Sequence, residues 1–305
     1  ISLTGGGTRL VWNPFSSSFR AGTVNGTQWN AANVGSYSAA LGRNLTASGL
    51  QSFAAGFDNI ASGANSFVAG DSNLASGLNG MAIGHGNSSF GENAIAIGQE
   101  NLNIGYYTAT LGRQNYARGE HSYAIGYQDT SWAEYSMALG FNSKTTGYGS
   151  ITLGTSATAT NPYAIAIGYN VAATADQSVA LGSYVSTNNK NGSMVFGDAS
   201  TTTPTSPTVI NQMVMRFNSG YRLFSNAGLT QGVYMLGNTS GWTNISDRNL
   251  KENFEEINDE ELLTKIRNLS VTKWNYKGVD PSIKYIGPMA QDFHSAFKLG
   301  GTDSL

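Results

Sequence analysis

Cysteine is absent from this 305-residue chain, and charged side chains are scarce. Without cysteine the chain cannot form disulfides, bind metal through thiolates or use a thiol nucleophile. Charged residues make up 12% of the sequence, about half the share usual in soluble domains. The net charge of −2 excludes a basic surface for nucleic acid. No apolar run reaches the roughly 18 residues that a membrane-spanning helix needs, and the isolated histidines predict neither a metal site nor a cofactor.

The few charges are distributed unevenly along the chain. Residues 36–197 contain 13 charged side chains, whereas residues 246–305, a much shorter segment, contain 18. A change of composition of this size indicates a domain boundary. Between the two segments, the Thr, Pro and Ser residues of Thr201–Thr208 are typical of a linker.

Glycine is abundant and periodic. Eleven glycines from Gly42 to Gly182 follow one another at intervals of 14, and Gly197 comes one residue late. A second series, from Gly35 to Gly147, lies half a period away, with Ala133 in one of its positions. A flexible linker would not keep this register. Two glycine corners in 14 residues predict one flattened coil of a parallel β-solenoid per repeat.

The residues before each main glycine alternate in size. Residues 94–98 read Ala-Ile-Ala-Ile-Gly and residues 136–140 read Ser-Met-Ala-Leu-Gly, so one strand face is bulky and the other small. Since neither face is charged, we interpret the bulky face as the coil interior and the small face as a contact with a neighbouring chain. This interpretation predicts an obligate oligomer. It also predicts that a large charged residue at Ala124 or Ala138 disturbs assembly more than one at Asn115, which we place at a solvent-facing corner.

Over about residues 35–197, this pattern resembles the head repeats of YadA-like trimeric autotransporter adhesins. The pentad and both glycine series carry the resemblance. It implies a left-handed parallel β-roll, with three rolls packed into one trimeric head.

The segments that flank the repeats have their own signals. Residues 1–34 carry four aromatic residues that we interpret as a hydrophobic plug over the first coil, with a sugar-binding surface as the alternative: Trp12, Phe15, Phe19 and Trp29. After the linker, Met213–Phe217 and Tyr221–Phe224 alternate around Asn218-Ser219-Gly220, which predicts a hairpin. Val233–Leu236 predicts a third strand. Tyr221, Arg222 and Trp242 are candidates for contact with a glycan.

The C-terminal segment predicts an α+β domain. Asn258 is the expected N-cap of a helix, and Glu261 is placed to close a capping box. Thr272, Trp274 and Tyr276 alternate as in a strand. A second helix is predicted from three apolar residues: Met289, Phe293 and Phe297.

This domain contains two motifs. Residues 246–253 read Ser-Asp-Arg-Asn-Leu-Lys-Glu-Asn, and residues 286–292 read Ile-Gly-Pro-Met-Ala-Gln-Asp. Together they resemble the intramolecular chaperone auto-processing domain of phage tailspikes and endosialidases. The resemblance covers about residues 246–305. It implies trimerisation, assistance to folding of the fibre, and self-cleavage before the serine, at Ile245–Ser246. Members continue into a long C-terminal helix, so we expect the domain to be truncated or to lack an ordered tail.

Ser246 and Lys251 are the candidate nucleophile and base. A serine hydroxyl attacks a carbonyl only when a base takes its proton, and lysine acts as a base only when it is desolvated. Taken without the family, the pair is better interpreted as a turn serine and a surface lysine. The resemblance reverses that preference and implies that the chain can act once, on itself, as a serine endopeptidase.

Together these observations predict a mainly β fold: a trimeric β-roll, a small β-structured module and an α+β chaperone domain. The predicted segments are a cap over 1–34, the roll over 35–197, a linker and module over 198–245, and the chaperone over 246–305. We expect an extracellular, homotrimeric fibre or adhesin tip on a cell or virion. Its expected ligand is a cell-surface glycan or protein. The alternative is a tail-fibre enzyme that degrades surface polysaccharide through paired carboxylates.

Overall fold

The structure is a computed structural model and describes residues 4–299. The chain divides into two compact units. The first reaches to Tyr221 and also includes Met235–Gly241, whereas the second is formed by Arg222–Tyr234 and the chain from Trp242 onward. The predicted boundaries of the four segments stay a prediction.

The repeat region of the first unit is a parallel β-solenoid. Most repeats contribute a five-residue strand that includes the main glycine and a two-residue strand after the corner. Equivalent strands pair in parallel with a 14-residue register, as Ala96 does with Ala82 and Thr110. The strands are β1 Gly7–Asn13, β2 Ser18–Val24, β3 Ala39–Arg43, β4 Thr46–Ala47, β5 Phe53–Phe57, β6 Ile60–Ala61, β7 Phe67–Asp71, β8 Leu74–Ala75, β9 Met81–His85, β10 Ser88–Ser89, β11 Ile95–Gln99, β12 Leu102–Asn103, β13 Ala109–Arg113, β14 Tyr116–Ala117, β15 Tyr123–Tyr127, β16 Thr130–Ser131, β17 Met137–Phe141, β18 Lys144–Thr145, β19 Ile151–Thr155, β20 Thr158–Ala159, β21 Ile165–Ala173, β22 Val179–Ser186, β23 Met194–Gly197 and β24 Met213–Arg216. The predicted β-roll with 14-residue coils is confirmed.

The glycine period follows from close contact between coils. A Cβ on Gly98 would lie 1.9 Å from the carbonyl oxygen of Gly112, and a Cβ on Gly49 would lie 2.0 Å from that of Gly63. Gly98 also has a φ of 122°, a backbone conformation that side chains rarely allow. Most coils therefore have glycine at both corners, although Ala133 takes the second position in one coil.

The two faces of the long strands are the reverse of our interpretation. The small residues lie inside the coil, where Ala96, Ala124 and Ala138 have no exposed surface. The bulky residues point outward, and Ile95 and Ile125 remain 37% and 36% exposed. The long and short strands of one coil enclose a narrow interior that mostly admits alanine, serine, threonine and asparagine. Ala124 and Ala138 therefore pack within their own chain, and the bulky face is the one left for a partner.

A column of buried asparagines runs where we expected a solvent-facing corner. Its members occupy one position of five successive coils: Asn59, Asn73, Asn87, Asn101 and Asn115. The Nδ2 of Asn115 donates to the Oδ1 of Asn101 at 3.1 Å. The same amide also donates to the carbonyl oxygens of Leu111 and Gly126. Asn115 is therefore part of the coil interior, because its amide satisfies backbone groups that the corner leaves unpaired.

The ends of the roll are closed mainly by polar groups. Strand β1 pairs antiparallel with β2, whose other edge is parallel to β3. Arg20 of β2 is 1% exposed and donates to the carbonyl oxygen of Ala47, and burial lowers its pKa to about 10. The predicted hydrophobic plug is largely wrong: Trp29 is buried, but Trp12, Phe15 and Phe19 are 57%, 91% and 37% exposed.

The predicted hairpin around residues 218–220 does not form. Strand β24 instead pairs in parallel with β23 as the last strand of the roll, and its Val214 packs against the buried core there. At this end Arg216 pairs with Asp198 at 3.2 Å and donates to the carbonyl oxygen of Ser183. The next strands form a separate three-stranded sheet of β25 Gly220–Phe224, β26 Gly232–Leu236 and β27 Thr243–Asn244.

The second unit contains the predicted helices and strands of the C-terminal segment. They are α1 Asp259–Asn268, β28 Val271–Trp274, β29 Tyr285–Pro288 and α2 Ala290–Phe297, with β28 antiparallel to β29. The N-cap of α1 is confirmed, because Asn258 Oδ1 accepts the backbone N–H groups of Glu260 and Glu261. Glu261 does not close the predicted capping box, since its carboxylate pairs with Lys265 at 2.7 Å. The strand predicted to reach Tyr276 ends at Trp274.

Candidate functional site

A tight turn brings the two side chains of the predicted dyad together. Strand β27 is extended by Ile245, whose backbone N–H donates to a carbonyl of β26 at 3.0 Å. A single 3-10 turn over Arg248–Leu250 follows, capped by the side chain of Asp247. The turn reverses the chain, so that the Nζ of Lys251 donates to the Oγ of Ser246 at 2.6 Å. The five-residue spacing therefore gives a direct hydrogen bond within one chain.

This hydrogen bond places the groups but does not by itself activate the hydroxyl. Ser246 and Lys251 are both exposed in the single chain. An ammonium group that donates to a hydroxyl cannot also take its proton, and water favours the charged ammonium. Activation thus requires a desolvated lysine, which the isolated chain does not provide. The catalytic roles of the two residues stay a prediction.

The C-terminal part of the chain has secondary structure but no hydrophobic core of its own. None of residues 208–299 is buried. Large apolar side chains that are between 45% and 74% exposed include Leu250, Phe254, Ile257, Leu263, Ile266, Val271, Ile286 and Phe293. Apolar burial is the dominant favourable contribution to folding, and net stability is small. The apolar side chains of residues 208–299 are therefore left without a buried core.

The outer face of the long strands is a second uncovered apolar surface. One residue per coil, directly before the main glycine, is isoleucine or leucine over eight coils: Ile83, Ile97, Leu111, Ile125, Leu139, Leu153, Ile167 and Leu181. Leu111, Leu153 and Leu181 are 38%, 46% and 37% exposed. A continuous apolar stripe of this length is typical of a protein–protein interface. We call these eight residues the apolar stripe.

Two families of known proteins match the chain. The YadA head domain repeat matches residues 75–101, 117–143, 133–155 and 146–170. The chaperone of endosialidase matches residues 246–301, beginning at the serine of the dyad. The chain joins YadA head repeats to an endosialidase-type chaperone domain. No curated protein matches the chain.

These matches coincide with the two uncovered surfaces. The YadA head repeats that match lie on coils whose outer face is the apolar stripe. The chaperone domain is the part without buried residues and carries the Ser246–Lys251 hydrogen bond. No helix formed by residues 4–299 has both the length and the apolar character to cross a membrane.

The three candidate glycan-binding residues lie between the YadA head repeats and the chaperone domain. The Tyr221 hydroxyl donates to the carbonyl oxygen of Met215 at 2.7 Å, and its ring lies edge-on against Phe217. Arg222 is exposed and Trp242 is 51% exposed. Tyr221 belongs to the first compact unit and the other two to the second. Their role in binding stays a prediction.

A buried carboxylate in the YadA head repeats escaped our sequence analysis. Asp129 has no exposed surface and continues the asparagine column. Its Oδ1 accepts the backbone N–H of Ser143 at 2.8 Å, but its Oδ2 has no hydrogen-bond partner. Burial raises the pKa of Asp129 to about 6, against the opposing effect of the backbone groups of Ser143 and Gly140. The available signal was the spacing, since residue 129 follows Asn115 by one period.

The two histidines of the YadA head repeats contact side chains of the roll. His85 lies 3.3 Å from a carboxylate oxygen of Asp71. The ring of His121 stacks between those of Tyr107 and Tyr135, with centroids 4.9 Å and 5.1 Å away. Within residues 4–299 there is no group of three or more histidine, aspartate and glutamate side chains placed to hold a metal ion.

Proposed function

We propose that this chain forms a homotrimeric, extracellular fibre or adhesin tip that binds a cell-surface glycan. The observation that carries the proposal is the complete lack of buried residues over 208–299. The apolar stripe of the roll is also uncovered, so both family-matched parts leave apolar surface for other copies of the chain. Three copies arranged around one axis would bury both surfaces at once. The number three rests on the YadA head repeats.

The first expected result is a trimer that does not dissociate into folded monomers. Light scattering of the uncut chain, held uncleaved by Ser246→Ala, should give about three times 32.2 kDa. Because the chaperone domain has no core of its own, dilution or heating should separate the chains only together with loss of its secondary structure. Circular dichroism during dilution measures this. A folded, stable monomer would contradict the proposal.

The glycan part of the proposal rests on the face opposite the apolar stripe. Four of the nine two-residue strands of the roll present a serine or threonine outward: Thr46, Ser88, Thr130 and Thr158. Such hydrogen-bonding side chains suit a polyhydroxylated ligand. A glycan array probed with the trimer tests the proposal, and binding to no saccharide would overturn it. Release of oligosaccharides from a polysaccharide probe would instead support the enzyme alternative.

We also propose that the chaperone domain cleaves the Ile245–Ser246 bond once per chain. Lys251, desolvated by packing of the chains, takes the proton of Ser246 Oγ. The oxygen attacks the carbonyl carbon of Ile245, the C–N bond breaks, and the proton passes to the released amine of Ser246. Water then hydrolyses the ester, leaving a carboxylate on Ile245 and the free hydroxyl on Ser246. The 2.6 Å hydrogen bond between Lys251 and Ser246 supports this assignment.

Mass spectrometry of the freshly assembled protein tests this reaction. We expect two products divided between Ile245 and Ser246 for the unchanged chain, and one uncut product for Ser246→Ala and for Lys251→Ala. Lys273→Ala, which removes an exposed lysine elsewhere in the domain, is the matched control and should cleave normally. Cleavage that persists in either dyad variant would exclude the mechanism. An uncut wild-type trimer would mean that the chaperone domain is retained.

A further inference from the structure

An exposed tryptophan lies on the short-strand face of the roll. Trp132 directly follows β16 and is 43% exposed. The guanidinium carbon of Arg118 lies 5.9 Å from its ring centroid, and the Nζ of Lys144 lies 5.3 Å from it. The ring of Tyr116 meets it edge-on at 6.2 Å. We propose that Trp132, Arg118, Lys144 and Tyr116 form a binding site for an acidic saccharide.

The register of the roll places these four side chains on one face. Tyr116 pairs with Thr130, and Thr130 pairs with Lys144, so these three residues form a column across three coils. Ser131 between Thr130 and Trp132 points into the coil and is buried, which directs Trp132 outward beside that column. Arg118 occupies the position of Trp132 one coil earlier. The site is thus built on rigid, hydrogen-bonded strands.

The charges of the site are not neutralised by the protein. Only five of the 13 charged residues over 36–197 are lysine or arginine, and two of the five meet at Trp132. Among residues 4–299, neither Arg118 nor Lys144 has a carboxylate or hydrogen-bonding partner for its charged group. The nearby Glu120 approaches His121 instead, at 3.7 Å. Two cations held within 6 Å of one ring therefore present unpaired positive charge to solvent.

Two unpaired cations beside an exposed indole indicate which class of ligand the site would bind. A guanidinium and an ammonium bind carboxylate or sulfate groups, and the part of the indole that Arg118 and Lys144 leave exposed offers apolar surface to a sugar ring. A neutral saccharide would leave both cations unpaired, and a simple anion would not use the indole. Both features together fit a sugar that carries an anionic group. The proposal rests on the proposed glycan-binding function and names its site and ligand class.

The proposed trimer leaves this site accessible. The apolar stripe lies on the long strands, whereas Trp132 and its neighbours lie on the short-strand side of the coil. Chains that pack through the apolar stripe would leave the short strands facing solvent. Each trimer would then carry three copies of the site, which raises the avidity for a repeating polysaccharide.

Binding of three hexasaccharides to the intact trimer tests the site. We expect the trimer to bind a heparin hexasaccharide, which carries sulfate, or a hyaluronan hexasaccharide, which carries only carboxylate. Neutral maltohexaose should not bind there. Trp132→Ala, and separately the double variant Arg118→Gln/Lys144→Gln, should weaken binding of the acidic probe at least tenfold. The charge variant should also abolish the dependence on salt, and comparison of heparin with hyaluronan identifies the preferred anionic group.

Matched control variants distinguish the loss of this site from the loss of any exposed aromatic residue or cation of the roll. Phe90→Ala removes an exposed aromatic residue at the Trp132 position of another coil, and Arg43→Gln/Arg113→Gln removes two cations that lie over other rings. Both should bind like wild type, and all variants should keep the trimeric mass. Acidic-probe binding that survives the Trp132 and double variants, or binding of neutral saccharides alone, would overturn the site but keep the glycan function. Failure to bind any saccharide would overturn both.

Discussion

Replacing Ile125 with glutamate is expected to abolish the trimer. Ile125 lies within the apolar stripe, between Leu111 and Leu139 of the neighbouring coils. In the proposed trimer each substituted chain would bury a carboxylate among apolar side chains with no cation to pair with. An unpaired buried charge is strongly destabilising, and three copies would repel one another. Light scattering should show loss of the trimeric mass, with aggregation of the uncovered chains.

Two further variants make this result specific. Ile125→Ala removes apolar contacts without adding charge and should weaken the trimer by about 1 kcal/mol per chain, because only the exposed third of the side chain is buried on assembly. Thr158→Glu places the same carboxylate on the short-strand side and should leave the trimer intact. If Ile125→Glu assembled as well as Thr158→Glu, the apolar stripe would not be the interface. The structure also replaces our first expectation for Ala124 and Ala138, whose substitution should break the coil before it affects assembly.

Replacing Asp129 with asparagine is expected to stabilise the roll and to remove part of its pH dependence. The amide Nδ2 would fill the place of the unpartnered Oδ2. By analogy with Asn115, it would donate to neighbouring carbonyl oxygens. An unsatisfied buried polar group costs about 1–3 kcal/mol, and more when it is charged. We therefore expect a gain of at least that order per chain above pH 7.

The sign of the pH effect follows from the raised pKa. Burial raises the pKa of Asp129 to about 6, compared with about 3.9 in an unfolded chain. The folded state therefore keeps a proton that the unfolded state has released. As a result, the contribution of Asp129 to wild-type stability should fall as the pH rises from about 4 to about 6 and should change little above that range. The asparagine variant should lack this fall.

Melting temperatures measured from pH 4 to pH 8 check this prediction. The difference between Asp129→Asn and wild type should be smallest near pH 4 and largest above pH 7. Asp58→Asn changes a carboxylate that is not fully buried, at a corner of the roll, and should shift the melting temperature little at any pH. A stabilisation by Asp129→Asn that is equal at all pH values would show that ionisation of Asp129 is not responsible.

Much of the roll could be predicted because its signals are local and repeated. Gly98 and the glycines in its series indicate a backbone that must approach the next coil closely. The alternation of large and small side chains before each glycine indicates strands. The dyad was also accessible from sequence, but only through family resemblance, since the residues alone favoured a turn serine and a surface lysine. The turn over Arg248–Leu250 that joins Ser246 to Lys251 is a local feature within five residues.

The sequence patterns predicted poorly which strands pair with each other and which side chains are buried. Met213–Phe217 and Tyr221–Phe224 both contain strands, but alternation does not state which strand a neighbour pairs with. β24 therefore completes the roll rather than a hairpin. In the same way, an aromatic side chain near the end of the roll need not cover it. The antiparallel strand β1 and the Arg20 guanidinium already close that end, so three aromatic side chains stay exposed: Trp12, Phe15 and Phe19.

The sequence by itself determined the period, the coil and the strand positions of the roll, because these depend on backbone conformation and on contacts at a fixed spacing. Only the tertiary structure decided which face of each strand is inside. Two-residue alternation is identical for either choice, and the width of the coil selects the small side chains. The same width places Asn115 and Asp129 inside and leaves Ile125 and Trp132 outside on opposite sides, where we propose contacts with other molecules.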